Sequence, residues 1–229
     1  MLPGEDDVWT TAGWPKREWR TAVARLTDAV TLSSRPTAAM HDATTEHDWS
    51  VGREGTLTAA DVLVHGEPTF TVLSVYAPWD RTGSGGLYAD ASAYPVLSDL
   101  SALMYTSKHR LIIAGDWNIL FGYGEHGDGY YAARYATVFD RAAALGLTFV
   151  GPQAPNGRQA QPWPEELPRD SLCVPTYHHS RQTPATATRQ LDFVFASDGI
   201  AERVQTRALN GVAEWGGSDH CRVLIEVNL

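Results

Sequence analysis

Residues 111–118 read LIIAGDWN, a short apolar run followed by a glycine, a carboxylate, an aromatic ring and an amide. The run has the length of a strand buried on both faces and is too short for a core helix, so the fold must cover this segment from two sides. An acid and an amide set where such a strand stops stand at the rim of the core. There the strand fixes the backbone while the following loop presents side chains.

The same setting recurs three times. TFTVLSVY (69–76) closes on Tyr76 and leads into APWD, QLDFVFAS (190–197) carries Asp192 near its start, and GGSDHCRV (216–223) sets Ser218, Asp219 and His220 before the last apolar run. Each cluster alone has a plain structural reading. Asp and Asn after a strand form turns by bonding their own backbone, Tyr76 before a proline fits the edge of a core, and Ser-Asp-His fits a turn. Asp192 resists that reading, because a carboxylate inside LDFVF is partly buried and needs a partner.

The rest of the chain supplies a mixed frame. Residues 20–32 read as a strand or strand pair, and 56–64 and 69–76 flank HGEP as an antiparallel hairpin. After Tyr94, the spacing of Val96, Leu97, Leu100, Leu103 and Met104 predicts a helix with Pro95 in its first turn. A second helix is expected from Tyr130 to Leu145, where Tyr135, Val138, Phe139, Ala142 and Leu145 share a stripe and Gly146 offers a stop. LTFV reads as a short strand, residues 151–175 with six prolines as a long irregular loop, and DGIAERV as a short helix between the late strands LDFVFAS and CRVLIEVNL. Hairpins mixed with helices predict mixed sheets with helices packed outside, an α/β (α+β) fold. No glycine-rich phosphate loop follows any strand.

At 229 residues the chain fits one domain spanning 1–229. No apolar run approaches the roughly 18 residues of a membrane span, and the acidic start MLPGEDDVW is unlike a secretion signal, so the expected location is cytoplasmic. Cys173 and Cys221 have no metal or redox spacing and read as buried free thiols, with a single bridge between them as the alternative. A net charge of −9 argues against a broad electrostatic grip on duplex DNA, unless Arg158, Arg169, Arg181 and Arg189 gather beside the site. It suits a small anion, or one met through a bridging cation.

The polar clusters together suggest a chemistry. Asp192 paired with His220 fixes the imidazole tautomer and raises its basicity. Asp116 then orients or deprotonates a water, Asn118 donates to a phosphoryl oxygen, and Asp219 helps hold a hard divalent cation such as Mg²⁺ or Mn²⁺. The implied reaction is metal-assisted phosphoester hydrolysis.

VYAPWD, GDWN, TYHH, LDFVFAS and SDH, in that order across residues 72–227, resemble the endonuclease/exonuclease/phosphatase superfamily, the metal-dependent phosphoesterases related to pancreatic deoxyribonuclease and the abasic-site endonucleases. The resemblance implies a four-layer α/β/β/α sandwich of two mixed sheets packed face to face. It puts Asp116 and Asn118 on water and phosphate, Asp192 with His220 on proton transfer, Asp219 beside the metal and Tyr76 near the phosphate. Thr176 and Tyr177 match a threonine-aromatic pair that contacts substrate. The substrate is a phosphoester, with nucleic acid among the candidates.

The sequence departs from the family at its front. Members open with a strand bearing an asparagine, then a helix, then a strand ending in Gln-Glu whose glutamate is the principal metal ligand; this sequence has neither motif. Two readings follow: a chain that begins late, which is favoured here, or a divergent, catalytically silent binding module that lost its metal glutamate. Glu5, Asp6 and Asp7 are the nearest substitutes. His178, His179, His126 and Asp128 read as loop residues, and loop 151–175 is where substrate choice is expected.

Overall fold

The computed structural model describes residues 8–10, 21–40, 49–53, 55–81, 87–88, 90–104 and 109–229. Glu5, Asp6 and Asp7 lie outside them. Strands β1 (Val30–Arg35), β2 (Leu57–Val64), β3 (Glu67–Tyr76), β4 (Leu111–Asp116), β5 (Leu147–Gly151) and β6 (Asp192–Ser197) form one sheet in the order β5-β6-β4-β3-β2-β1. β3 and β4 run parallel and every other neighbouring pair antiparallel. A parallel pair needs a crossover, and α1 (Asp90–Ser101) lies within the connection between β3 and β4.

The two faces of the sheet build two cores. Leu73 and Val75, Leu111 and Ile113, and Phe193 and Phe195 point toward α1 and α2 (Gly129–Ala144), where Val96, Leu100, Tyr135 and Val138 meet them. Alternation sends Phe70, Ile112, Ala114, Val194 and Ala196 to the other side. There they pack against an antiparallel pair, β7 (Val204–Leu209) and β8 (Arg222–Val227). The described residues thus form a helical layer, a six-stranded mixed sheet and, where a second full sheet is expected, this pair. Three further short pairs are present among the described residues: Val8–Thr10 with Thr21–Val23 and Asp80–Arg81 with Leu87–Tyr88, both antiparallel, and Thr37–Ala39 with Trp49–Val51, parallel.

The expected hairpin is β2–β3, and its turn is tighter than HGEP suggests. His65 and Gly66 both take positive φ, 53° and 86°, as a two-residue turn matching the strand twist requires, so Glu67 and Pro68 join the strand. The second helix starts at Gly129, capped by Asp128, whose carboxylate accepts from Tyr130 N at 2.7 Å. α1 begins at Asp90 instead of near Tyr94, which puts Pro95 inside it. Tertiary contacts outweigh the local signal there: the buried Asp90 carboxylate pairs with Arg134 of α2 at 2.8 Å, and the Ser92 hydroxyl donates to the Pro78 carbonyl. The predicted helix in DGIAERV is one 3₁₀ turn, Ala201–Arg203, and its last residue opens β7. Residues 20–32 contain Thr21–Val23 and the start of β1. Cys173 and Cys221 are buried free thiols.

Candidate active site

Register brings three of the sequence-flagged side chains into one row. Asp116 is the pairing partner of Tyr76 on β3 and of Asp192 on β6, so all three stand at one level on one face of the sheet. GDWN is shaped by this crowding. A Cβ on Gly115 would lie 1.9 Å from the Val75 carbonyl oxygen, so no other residue fits. Asn118 takes φ 53°, a left-handed conformation that asparagine tolerates. Its turn bonds back to the acid: Asn118 N donates to Asp116 Oδ1 at 3.0 Å, and Asn118 Nδ2 donates to Asp116 Oδ2 at 2.9 Å and to Ala77 O at 3.0 Å. Trp117 between them is fully buried against Phe195.

The imidazole arrives from the lead-in to β8. His220 Nδ1 lies 2.8 Å from Asp192 Oδ2, and its Nε2 lies 4.0 Å from Asp116 Oδ2. The segment Thr176–Tyr177 holds both halves. Thr176 Oγ1 accepts from Leu191 N at 3.0 Å and Asp192 N at 3.1 Å, while Thr176 O accepts from Cys221 N at 2.8 Å. Tyr177 bridges Arg189 on one side and His220 on the other, its ring 5.0 Å from the imidazole. The loop before His220 is fixed by Trp215 Nε1, which donates to Ser218 O at 3.0 Å.

Two carboxylates and an imidazole this close perturb one another. Burial, then the charge of Asp192, pushes Asp116 up to about 7, against the opposing pull of His220 and the Asn118 hydrogen bonds. Burial alone would lower the His220 pKa. The hydrogen bond to Asp192 and the charges of Asp192, Asp116 and Asp219 outweigh it and raise the imidazole to about 9. The cluster thus biases His220 toward its protonated form and Asp116 toward its neutral form.

These groups floor a cavity of about 620 Å³ whose walls include Tyr76, Trp79, Asn118, Tyr177, Arg189 and Asp219. Thr176 does not line it; the residue is fully buried and its hydroxyl is engaged by backbone, so its part is structural support. Asn118 likewise has both amide hydrogens on Asp116 and Ala77, which ties it to the acid first. Asp219 stands exposed at the rim and outside the group of Asp116, Asp192 and His220, whose ligand atoms lie within 4.8 Å of one another. Loop 151–175 contributes no wall residue, because its Arg158 and Pro175 backbone atoms bond Asn210 and its Val174 N bonds Gln190. His126, Asp128, His178 and His179 are not among the wall residues either. Of the four arginines, Arg189 reaches the cavity, bound to Glu125 at 2.8 Å, whereas Arg158 donates to the carbonyls of Asn210 and Pro184. Trp79 was missed, because nothing local to VYAPWD separates it from other exposed aromatic residues.

The donor set suits a hard divalent cation. Asp116, Asp192 and Asp219 surround the cavity, and Asp192 already raises the Asp116 pKa through repulsion, a strain that a bound cation relieves.

No family model and no curated protein sequence matches the chain. Solved structures do. The endonuclease domain of TRAS1, a telomere-specific non-LTR retrotransposon, is similar over 99% of this chain and 82% of its own, with a TM-score of 0.61 at 13% identity. The 3′ phosphatase NExo from Neisseria, solved with a product DNA hairpin, is similar over 91% of this chain and 74% of its own (TM-score 0.53, 17% identity). The chain has the endonuclease/exonuclease/phosphatase fold. A mannosyl-6-phosphatase from Bacteroides thetaiotaomicron VPI-5482 shares it over 98% of this chain and 78% of that one, with a TM-score of 0.52 at 13% identity. Within this fold the cavity opens at the ends of β3 and β4, on the face of the large sheet that β7 and β8 cover. No helix among the described residues is long and apolar enough to cross a membrane.

Proposed function

We propose that the chain is a divalent-metal-dependent phosphoesterase acting at the Asp116, Asp192 and His220 cluster. The observation that carries this reading is the 2.8 Å contact between His220 Nδ1 and Asp192, which directs Nε2 toward Asp116 across a 4.0 Å gap. That gap lets one water lie within hydrogen-bond reach of both groups, while a phosphoryl oxygen can accept from His220 Nε2 alone. Asp116, whose pKa burial and Asp192 raise into the range of a general base, orients the attacking water and takes its proton. The water's oxygen bonds phosphorus as the ester P–O bond breaks, the His220 imidazolium donates from Nε2 to the phosphoryl oxygen on which negative charge builds, and the departing oxygen takes its proton from solvent. Asp192 holds the imidazole, Asn118 holds Asp116, and Tyr76 borders the phosphoryl position. Asp219 at the rim, in the negative field of the other two carboxylates, would hold Mg²⁺ or Mn²⁺. Such a cation, when bound, acidifies a coordinated water and offsets phosphoryl charge.

The neighbouring folds act on both polynucleotide and sugar phosphates, which supports phosphoester chemistry at a coarse level. The test is release of p-nitrophenolate from bis-p-nitrophenyl phosphate and p-nitrophenyl phosphate. We expect turnover with Mg²⁺ or Mn²⁺, none with chelator, and loss in His220→Ala; metal-independent turnover untouched by that change would refute the mechanism. A second reading, a silent binding module, is favoured by one feature: among the described residues, no glutamate lines the cavity. Calorimetry separates the two, because a silent module takes up no Mg²⁺ at millimolar concentration while remaining folded.

A further inference from the structure

Trp79 is an exposed aromatic side chain that is nevertheless held still. Its indole Nε1 donates to Asn118 Oδ1 at 2.9 Å, and Asn118 is itself 8% exposed and tied to Asp116 and Ala77. The turn that carries it is anchored from the other side by the Ser92 hydroxyl on the Pro78 carbonyl. Even so, 40% of Trp79 remains open to solvent, and it is a wall of the cavity floored by Asp116 and His220. A tryptophan serving only the core would be covered. One left wet by chance would not have its ring nitrogen fixed to a buried amide.

We infer that Trp79 is a stacking platform, and that the substrate is a phosphoester carrying a nucleobase close to the scissile phosphorus. The proposal rests on the phosphoesterase reading and adds what stands beside the phosphate. The two parts of the cavity ask for different chemistry. Its floor of carboxylates and imidazole suits a phosphoryl group and its cation. The indole wall offers a flat, rigid apolar face that needs no hydrogen bond from its partner, and stacking on such a face tolerates any base. Because the hydrogen bond to Asn118 already fixes the ring, little side-chain entropy is lost on binding. Trp79 reaches Asp116 through one intervening residue, Asn118, so a base on the indole and a phosphate on the floor belong to the same nucleotide or to adjacent ones. The charge around the cavity favours a short or single-stranded substrate: its wall cation, Arg189, is paired with Glu125.

The test is calorimetry on the full chain in Mg²⁺, with His220→Ala as background so that ligands are not turned over. The probes are thymidine 5′-monophosphate, ribose 5-phosphate and inorganic phosphate. With Trp79 present, the nucleotide should bind about 5- to 10-fold tighter than ribose 5-phosphate, the lower end of what one stacked base supplies. Trp79→Ala should abolish that advantage, bringing nucleotide affinity down to that of ribose 5-phosphate measured on the same variant. Trp79→Phe, which keeps a ring but loses the bond to Asn118, should retain part of it, with circular dichroism verifying the fold of each variant. Equal affinity for nucleotide and sugar phosphate, or an equal loss for both in Trp79→Ala, overturns the stacking proposal alone. Failure of all three ligands to bind either the His220→Ala variant or the parent chain overturns the phosphoesterase reading and this proposal with it.

Discussion

Thr176 bonds to Asp192 through its hydroxyl, which accepts from the Asp192 backbone N–H at 3.1 Å and from Leu191 N at 3.0 Å, with no exposure to solvent. The same residue's carbonyl accepts from Cys221 N, next to His220. One buried threonine therefore sets the spacing between acid and imidazole. Thr176→Val, similar in shape but lacking the acceptor, leaves two buried N–H groups unsatisfied and should cost about 2–4 kcal/mol of stability. Thr176→Ser should keep most of it. Urea denaturation of the two variants checks the difference, and equal stabilities would show that the hydroxyl does not brace the strand.

The Asp192 carboxylate is expected to matter through His220. Asp192→Asn keeps the shape but presents an amide to Nδ1, which no longer fixes the tautomer or supports the imidazolium. A fall in kcat of roughly 10²- to 10⁴-fold should follow, with KM little changed. Steady-state hydrolysis of bis-p-nitrophenyl phosphate measures it. A loss confined to KM would place Asp192 in substrate binding instead.

What could be read before the fold was seen had a local cause. GDWN, LDFVF and SDH are visible because each breaks an apolar strand with charge, and the β2–β3 hairpin because Gly66 punctuates it. The meeting of Asp116 with Asp192 was chemically inferable, since a buried acid needs company, but their direct opposition is a matter of strand register. β7 carries the period-2 alternation of a half-buried strand, Gln205 and Arg207 against buried Val204, Thr206 and Ala208, and was passed over because DGIAERV just before it reads as a helix. The Thr176 hydroxyl gave no sign of facing inward, because its partners are backbone groups of another segment. Trp79 was passed over for the opposite reason: exposed aromatic residues are common, and only its bond to Asn118 separates this one from the rest.

Stability should depend on pH through Asp116, with a definite sign. Its folded pKa, about 7, lies above the ordinary carboxylate value of 3.8, so its contribution is fully present below about 4 and is lost as pH rises through 7. Asp116→Asn removes that titration. The melting temperature of the variant relative to the parent, measured in chelator, should therefore climb between pH 5 and 8. Mn²⁺ should raise the parent's melting temperature more at pH 8 than at pH 5, because the ion's charge is better complemented once the nearby Asp116 is ionised. A variant-minus-parent difference that is flat with pH would mean that Asp116 is not perturbed as described.

Activity, unlike stability, should follow both perturbed groups. With Asp116 as proton acceptor and His220 as donor, kcat rises as pH passes the Asp116 value near 7 and falls as His220 loses its proton near 9. A bound cation moves the acid limb to lower pH by favouring the carboxylate. Profiles at two Mn²⁺ concentrations are the measurement, and an acid limb that stays fixed would separate Asp116 from the metal.

Arg189 is the cavity's guanidinium, and two bonds to Glu125 at 2.8 and 3.3 Å fix its direction while its side chain remains 34% exposed. A fork held in this way on one side can still turn an N–H toward a phosphoryl oxygen on the other, which suits ground-state binding more than the chemical step. Arg189→Ala should raise KM for a phosphodiester about tenfold with kcat within about threefold, the cost of one charge-assisted bond that is partly screened. Arg189→Lys restores the charge without the fork. Because a lysine cannot make the paired bonds to Glu125, it should recover less than half of the lost affinity. Full recovery by lysine would mean that Arg189 acts only as a point charge and that its geometry with Glu125 is incidental.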